Sequence, residues 1–426
     1  MKYSGIKWIG EIPDNWNVRK VKQCFYISKE QAHEENPTIL SLARAGVKVR
    51  DISNNEGQLA ASYDNYNPVM PGDLLLNPMD LYSGANCSLS EVSGVISPAY
   101  INLRKKVELN PKFYDYFFKT QYWAMAMFAH GKGVSFDNRW TMNAETLLNY
   151  YLPFPSSDVQ DKIVDLINKK TAEIDSLIEI ENQQIEKLKE YKQAVITEAV
   201  TKGLDNNVSM KDSGIEWIGK IPEETSVIPL KFLLAEPMMY GANESGLREK
   251  IINGYRYIRI TDIDGDGNLK DDDENQYLTQ EKGESYNLSE GDILFTRSGG
   301  TVGKTFIYHE SYGKSAFAGY LIKGKCDLNK LLPEYLYLYT QSSIYELWKQ
   351  QIFIQSTIQN IGANKYSMLP LIVGSLEWQK QVTSYVQTKA REIDELIIVK
   401  QQKIDQLSEY KKSLIYEYVT GKKEVC

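Results

Sequence analysis

The sequence predicts an α+β protein: two globular domains of mixed helix and strand, separated by two long antiparallel coiled-coil helices and related by a pseudo-two-fold internal repeat. Three observations carry this expectation. The chain is written twice, it holds two long heptad runs without proline, and the stretches between read as short strands punctuated by turn residues.

The repeat comes first because it sets the architecture. Residues 4–13 read SGIKWIGEIP and residues 213–222 read SGIEWIGKIP, which places Trp217 209 positions after Trp8. A second match closes each half: KKTAEIDSLIEIENQQIEKLKEYKQAVITEAVTKG begins at Lys169 and TKAREIDELIIVKQQKIDQLSEYKKSLIYEYVTGK at Thr388, 219 apart at Glu173 and Glu392. The middles have diverged, keeping echoes such as PGDLL at 71–75 against EGDIL at 290–294.

The closing segments read as long helices. Ile163, Ile167, Ile174, Ile178, Ile185, Leu188, Val195 and Ala199 fall at steps of three, four and seven, as do Val382, Val386, Ile393, Ile397, Ile404, Leu407, Leu414 and Tyr418. That spacing makes a heptad seam. No proline interrupts 160–202 or 376–421, and at 1.5 Å per residue each helix is about 60 Å long. A stripe of that length needs a partner, and the copy in the same chain is the obvious one. The alternative is an amphipathic helix packed inside a bundle. In an antiparallel pair, equivalent positions face each other only near the middle. The middle of the first seam is Glu181, whose equivalent is Lys400, so these two are expected to approach at the crossing and fix the register.

The middles, about 17–151 and 226–368, carry aromatic and β-branched runs at 96–103, 255–263, 292–296 and 305–308, read as strands, and helical pieces at 111–128 and 332–350. The expected division is a first domain at 1–151 (with the repeated segment 1–16), a central helix at 152–204, a second domain at 205–368 (with the repeated segment 213–222), and a C-terminal helix at 369–426.

Composition narrows the function classes. The 426 residues are 42% hydrophobic and 25% charged, which excludes a disordered chain. No stretch has the roughly 18 apolar residues of a membrane span. Cys24, Cys87, Cys326 and Cys426 are scattered without a CxxC pair, so a zinc site or disulfide framework is not expected and a reducing cytoplasm fits. SGGTVGKT at 298–305 imitates a phosphate-binding loop, but serine stands where the first glycine is needed and the following residues read as a strand. DIDGDGNLKDDDE at 262–274 imitates a calcium loop, with Asp273 where a glutamate should close it; an acidic solvent-facing turn reads better. No GxSxG, HExxH or GxGxxG pattern is present, so no residue is nominated as catalytic or metal-ligating.

The combination of WIGEIP and WIGKIP openings, divergent middles, and heptad helices ending in EYK runs resembles the specificity (S) subunit of type I restriction–modification systems, over the whole chain. One departure is that Glu223–Glu224–Thr225 replaces Asp14–Asn15–Trp16. The resemblance implies two target recognition domains that read a bipartite, asymmetric double-stranded DNA site, joined by helices that recruit two modification (methyltransferase) subunits and, with them, restriction subunits. It implies no catalysis and no cofactor in this chain, with S-adenosylmethionine and ATP/Mg on the partners. The rivals are a coiled-coil adaptor without DNA specificity and a nuclease or NTPase.

The net charge of -7 argues against a DNA binder, and must be weighed by region. Residues 17–151 hold 14 basic against 13 acidic residues; residues 226–368 hold 15 against 18, but seven of those acids lie in 262–274. DNA contacts are expected from Arg44, Lys48, Arg50, Asn77, Tyr82, Ser83 and Asn86, and from the loop with Lys132, Ser135, Asn138 and Arg139. In the second domain they are expected from Arg297, Ser298, Thr301 and Lys304 and from Gln355, Ser356, Thr357, Gln359 and Asn360. Such side chains and glycine-loop amides read base edges and phosphates.

Overall fold

The computed structural model describes residues 1–33, 37–43, 45–51, 62–79, 81, 87–133, 140–205, 207–264, 267–270, 274–354 and 359–425. They form two compact units: Met1–Asn182 with Gln401–Cys426, and Gln183–Lys400.

The first unit is built on a four-stranded antiparallel sheet in the order Phe25–Ile27, Ile101–Lys105, Leu74–Leu76, Cys87–Leu89. Leu74, Leu75 and Leu76 are all buried, because the strand is covered on both faces. One cover is the helix Pro111–Trp123, started by proline at its first position and by the Asn110 side chain, which accepts the Lys112 N–H at 2.9 Å. It sinks Phe113, Tyr114, Phe117 and Phe118 into the core, where Ile163, Ile167, Leu414, Ile415 and Val419 of the two long helices meet them. Fully burying each such side chain is worth about 1.5–3 kcal/mol. Trp16 joins this core edge-on to Phe113.

The second unit repeats the frame. Met239–Tyr240, Leu321–Gly324, Ile293–Thr296 and Thr305–Ile307 form the equivalent antiparallel sheet. Its core joins Phe295 and Ile322 to Tyr335, Tyr339, Tyr345 and Trp348, and to Ile196, Val200, Val382 and Val386 of the long helices. The repeated openings form matching hairpins, Lys2–Tyr3 with Glu11–Ile12 and Met210–Asp212 with Lys220–Pro222. Thr225 takes the place of Trp16: it is fully buried and donates to the Pro222 carbonyl at 2.8 Å.

The echo of PGDLL in EGDIL is a shared turn. Gly72 and Gly291 adopt φ of +92° and +79°, a region glycine occupies without steric cost. The following aspartate then reaches back: Asp73 accepts the Met70 N–H and Asp292 the Ser289 N–H, each at 2.9 Å. Asp73 is completed by Arg104 at 3.0 Å. At Asp292 the equivalent Lys323 lies at 3.9 Å, and burial pushes the carboxyl above its ordinary range.

The long helices run Ser157–Lys202 and Leu376–Val419, close to the expected limits. Within the first unit, Lys411 bonds both oxygens of Asp175 at 2.6 Å and Lys403 donates to Glu181 at 2.5 Å. As one helix advances from Asp175 to Glu181, its partner retreats from Lys411 to Lys403, so these segments are antiparallel. In the second unit Lys192 bonds Asp394 and Lys400 donates to Gln184, with the same sense. Ile163, Ile167, Ile174, Ile185, Val382, Val386, Ile393, Ile404 and Leu414 are buried as the heptad predicts. Glu181 is buried in the seam at 6% exposure. It and Lys400 fall in different units.

Four expected elements differ. The strand expected at 255–263 ends at Ile258, because the Asp262 carboxylate turns back onto the Arg259 N–H and guanidinium, winding Ile260–Asp262 into a 3-10 turn. The run at 96–103 is two strands split by a turn in which Tyr100 N–H donates to Ser97 O. The helix at 332–350 is two, Pro333–Tyr339 and Ser343–Ile354; Ser342 Oγ donates to the Tyr339 carbonyl at 2.6 Å and breaks the ladder. The helix at 111–128 stops at Trp123, and Met125 takes a positive φ.

Candidate nucleic-acid interface

In the second unit the central strand Ile293–Thr296 delivers the chain into the loop 297–304. Two buried phenols staple it: Tyr366 donates to the Thr296 carbonyl and Tyr345 to the Gly303 carbonyl, both at 2.7 Å. Burial raises both hydroxyls far above the usual tyrosine range, so they stay protonated donors. Thr305–Ile307 returns as a strand and not as a helix. The loop therefore lacks the helix N-terminus a phosphate-binding loop requires.

At its start Arg297 is held by its backbone on both sides, donating to Tyr320 O and accepting from Ile361 N–H, each at 2.9 Å. Ser298 forms an antiparallel bridge to Asn360, and Arg297 Nε donates to Asn360 Oδ1 at 3.3 Å. The guanidinium lies 5.3 Å from the Tyr240 ring centre. Tyr240 and Tyr320 are 41% and 62% exposed, framing a surface of aromatic and cationic character. Lys304 is exposed at the far end of the loop and Gln359 beside Asn360. Thr301 is half-buried, its carbonyl bonded by Thr296 Oγ1. The structure thus brings together Arg297, Ser298 and Asn360 from two separate polar loops. Gln355, Ser356 and Thr357 lie outside the described residues.

In the first unit Lys48 is exposed on the hairpin Leu40–Ala43 with Gly46–Val49, and the Arg50 N–H caps it by donating to Ile39 O at 2.8 Å. Asn77 is half-buried and structural: its side chain accepts the Met79 N–H at 3.0 Å and its carbonyl the Tyr122 hydroxyl at 2.6 Å. Lys132 is exposed and forms an antiparallel bridge to Thr141. Arg44, Tyr82, Ser83, Asn86, Ser135, Asn138 and Arg139 lie outside the described residues.

Sequence reading missed Tyr240 and Tyr320. The only sequence signal was an aromatic beside a glycine in MMYGAN and FAGYL, too common a pattern to single them out. The acidic turn is not an open cation site where it is described, because Arg259 occupies Asp262 at 2.6 Å and Asp264 Oδ1 accepts the Asn268 N–H. Among the described residues, no helix is long and apolar enough to cross a membrane.

Residues 247–409 match the family model for the type I restriction modification DNA specificity domain. The chain is 23% identical over 357 residues to the type I restriction enzyme EcoBI specificity subunit of Escherichia coli, covering 80% of this chain and 72% of that one. It is 21% identical over 393 residues to the type I restriction enzyme MjaVIII specificity subunit of Methanocaldococcus jannaschii, covering 88% and 80%. In fold it is similar to a chain from a structural study of the assembly and conformational transition of the type I R-M system (TM-score 0.70, 12% identity, 96% and 98% covered). The HsdS subunit from Thermoanaerobacter tengcongensis is a second such likeness (TM-score 0.51, 12% identity, 96% and 98% covered). The chain is thus similar to type I restriction–modification specificity subunits over most of its length, and its residues 247–409 match the model of their DNA specificity domain.

Proposed function

We propose that the chain is the DNA sequence-recognition and scaffold subunit of a type I restriction–modification complex, without catalysis of its own. Two recognition domains read a bipartite, asymmetric double-stranded target, and an antiparallel coiled coil of the two long helices, with a pseudo-two-fold repeat, carries the other subunits. The observation that carries this reading is the repeated frame with unlike loops. The same sheet order recurs in both units, and the carbonyl of Pro78 accepts the Met142 N–H as that of Arg297 accepts the Ile361 N–H. Yet the side chains offered there are a proline and an arginine. A scaffold repeated while its reading residues differ suits two half-sites of different sequence.

Support for recruitment comes from the helices. Leu177 and Ile180 are 46% and 45% exposed, and their equivalents Leu396 and Val399 are 52% and 60% exposed. Apolar side chains repeated outside the seam suit two like docking surfaces, one for each of two modification subunits. Those subunits would bring S-adenosylmethionine, and restriction subunits ATP and Mg. The deciding experiment is sequencing of methylated bases in a host with and without this gene. A bipartite methyladenine motif that vanishes with the gene supports the reading, and an unchanged methylome leaves the chain a coiled-coil adaptor.

A further inference from the structure

We propose that Arg297 is a pre-set guanine reader of the second recognition domain, with Asn360 and Tyr240 as its positioning residues. The inference rests on the reading of the chain as a DNA-recognition subunit and deepens it by naming one base contact.

The other arginines of residues 226–368 are committed within the protein. Arg248 pairs with Glu274 at 3.4 Å, Arg259 with Asp262 at 2.6 Å, and Arg256 bonds the Asn275 side chain at 2.9 Å and the Lys270 carbonyl. Each spends its guanidinium on the protein itself. Arg297 gives only Nε, to Asn360. Among the described residues neither of its Nη groups has a hydrogen bond, and no carboxylate lies within 4.0 Å. An arginine fixed through Nε keeps its two Nη groups for an outside acceptor.

Immobilisation is the second observation. A solvated arginine samples many rotamers, and ordering it on binding costs side-chain entropy. Here the backbone is clamped by Tyr320 and Ile361, Nε is held by Asn360, and the guanidinium carbon lies 5.3 Å from the centre of the Tyr240 ring, whose hydroxyl in turn accepts the Ala363 N–H at 3.0 Å. Much of that ordering is already done in the free protein. A freely waving phosphate contact needs none of it; a directional contact does. The flanking Gly299 and Gly300 have open space where a side chain would begin, so the loop places no side chain at either of these positions.

Guanine is the base this geometry fits. Its major-groove edge offers two adjacent acceptors, N7 and O6, that take two parallel N–H donors. In the first unit Pro78 stands at the equivalent backbone site and offers no donor. The Arg297 contact therefore has no counterpart at this site in the first unit.

The test is selection of duplexes from a randomised library by the purified full-length chain, with base preference read at every position. The wild type is expected to select a motif with a guanine in one half. Arg297→Ala should lower that preference about tenfold or more and leave every other position intact. Arg297→Lys should also relax it, since one ammonium cannot serve both acceptors in the same plane. Asn360→Ala and Tyr240→Ala should blur the same position to a smaller degree, which a merely structural role would not confine to one base. A uniform loss of affinity with the motif unchanged would make Arg297 a backbone contact and overturn the proposal. If Arg297→Ala does not fold, an unchanged motif from Arg297→Lys overturns it equally. A wild-type chain that selects no sequence fails at the earlier step, overturning the DNA-recognition reading itself.

Discussion

Lys192 bonds both carboxylate oxygens of Asp394, at 2.8 and 2.7 Å, and this bond has a twin: the equivalent residues Lys411 and Asp175 are joined in the same way at 2.6 Å. Each pair ties two helical segments that are antiparallel within its own unit. Both are partly exposed, so each is expected to contribute modestly. A double-mutant cycle on Lys192 and Asp394 should give a coupling of about 0.2–1 kcal/mol that shrinks as salt is raised. A coupling of zero at low salt would mean that seam packing alone sets the register.

Gln160 and Gln379 are fully buried at equivalent places near the start of each long helix. Gln160 accepts the Asn110 N–H at 2.8 Å and donates to Pro155 O at 2.9 Å; Gln379 accepts the Leu332 N–H at 2.9 Å and donates to Gly374 O at 3.1 Å. Gln160→Leu removes both partners' bonds at a fully buried position. It should cost about 2–6 kcal/mol, since each of the two orphaned backbone groups costs about 1–3 kcal/mol. Urea denaturation measures it, and a change below ~0.5 kcal/mol would mean that water reaches the joint.

Lys304 is exposed on the loop beside Arg297. Lys304→Ala is expected to weaken DNA binding to a similar degree on all sequences and to lower the salt slope by about one. Affinity measured across a salt series decides this; an unchanged slope would place the residue off the phosphate backbone.

The divergent middle can be exchanged as a piece. Replacing residues 17–151 with the corresponding domain of a related chain should change one half of the methylated motif and keep the other. Sequencing of methylated bases reads the outcome, and a change in both halves would sink the two-reader reading.

Burial pushes the Cys24 thiol up to about 11 and the Cys326 thiol up to about 12, from an ordinary 9.0. The raised folded-state value means the proton is held more tightly in the native chain. Its stabilising contribution is complete below about pH 9, where the unfolded thiol is also protonated, and is lost as pH rises through 11–12. Both thiols should resist iodoacetamide at pH 8 in the native protein and react readily in denaturant. Peptide mapping that finds them labelled at equal rates in both states would contradict this burial.

What the sequence determined by itself was everything local or duplicated. The heptads placed Ile163, Ile174 and Ile393 in a seam because helical periodicity is a property of neighbouring residues. The glycine–aspartate echoes marked equivalent turns, because a positive φ followed by a back-reaching carboxylate is written in consecutive positions. Even the seam position of Glu181 was legible as a charged residue between Ile178 and Ile185. Only the tertiary structure showed that Glu181 accepts from Lys403 within its own unit, because rung geometry depends on how side chains lean between two helices. The break at Ser342 was equally hidden, since a side-chain bond to Tyr339 outcompetes a helical pattern that otherwise continues. The meeting of Arg297, Asn360 and Tyr240 lay furthest from view. These residues are distant in the chain and share no periodicity, and only the closing of three strand ends around one loop brings a guanidinium, an amide and an aromatic face together.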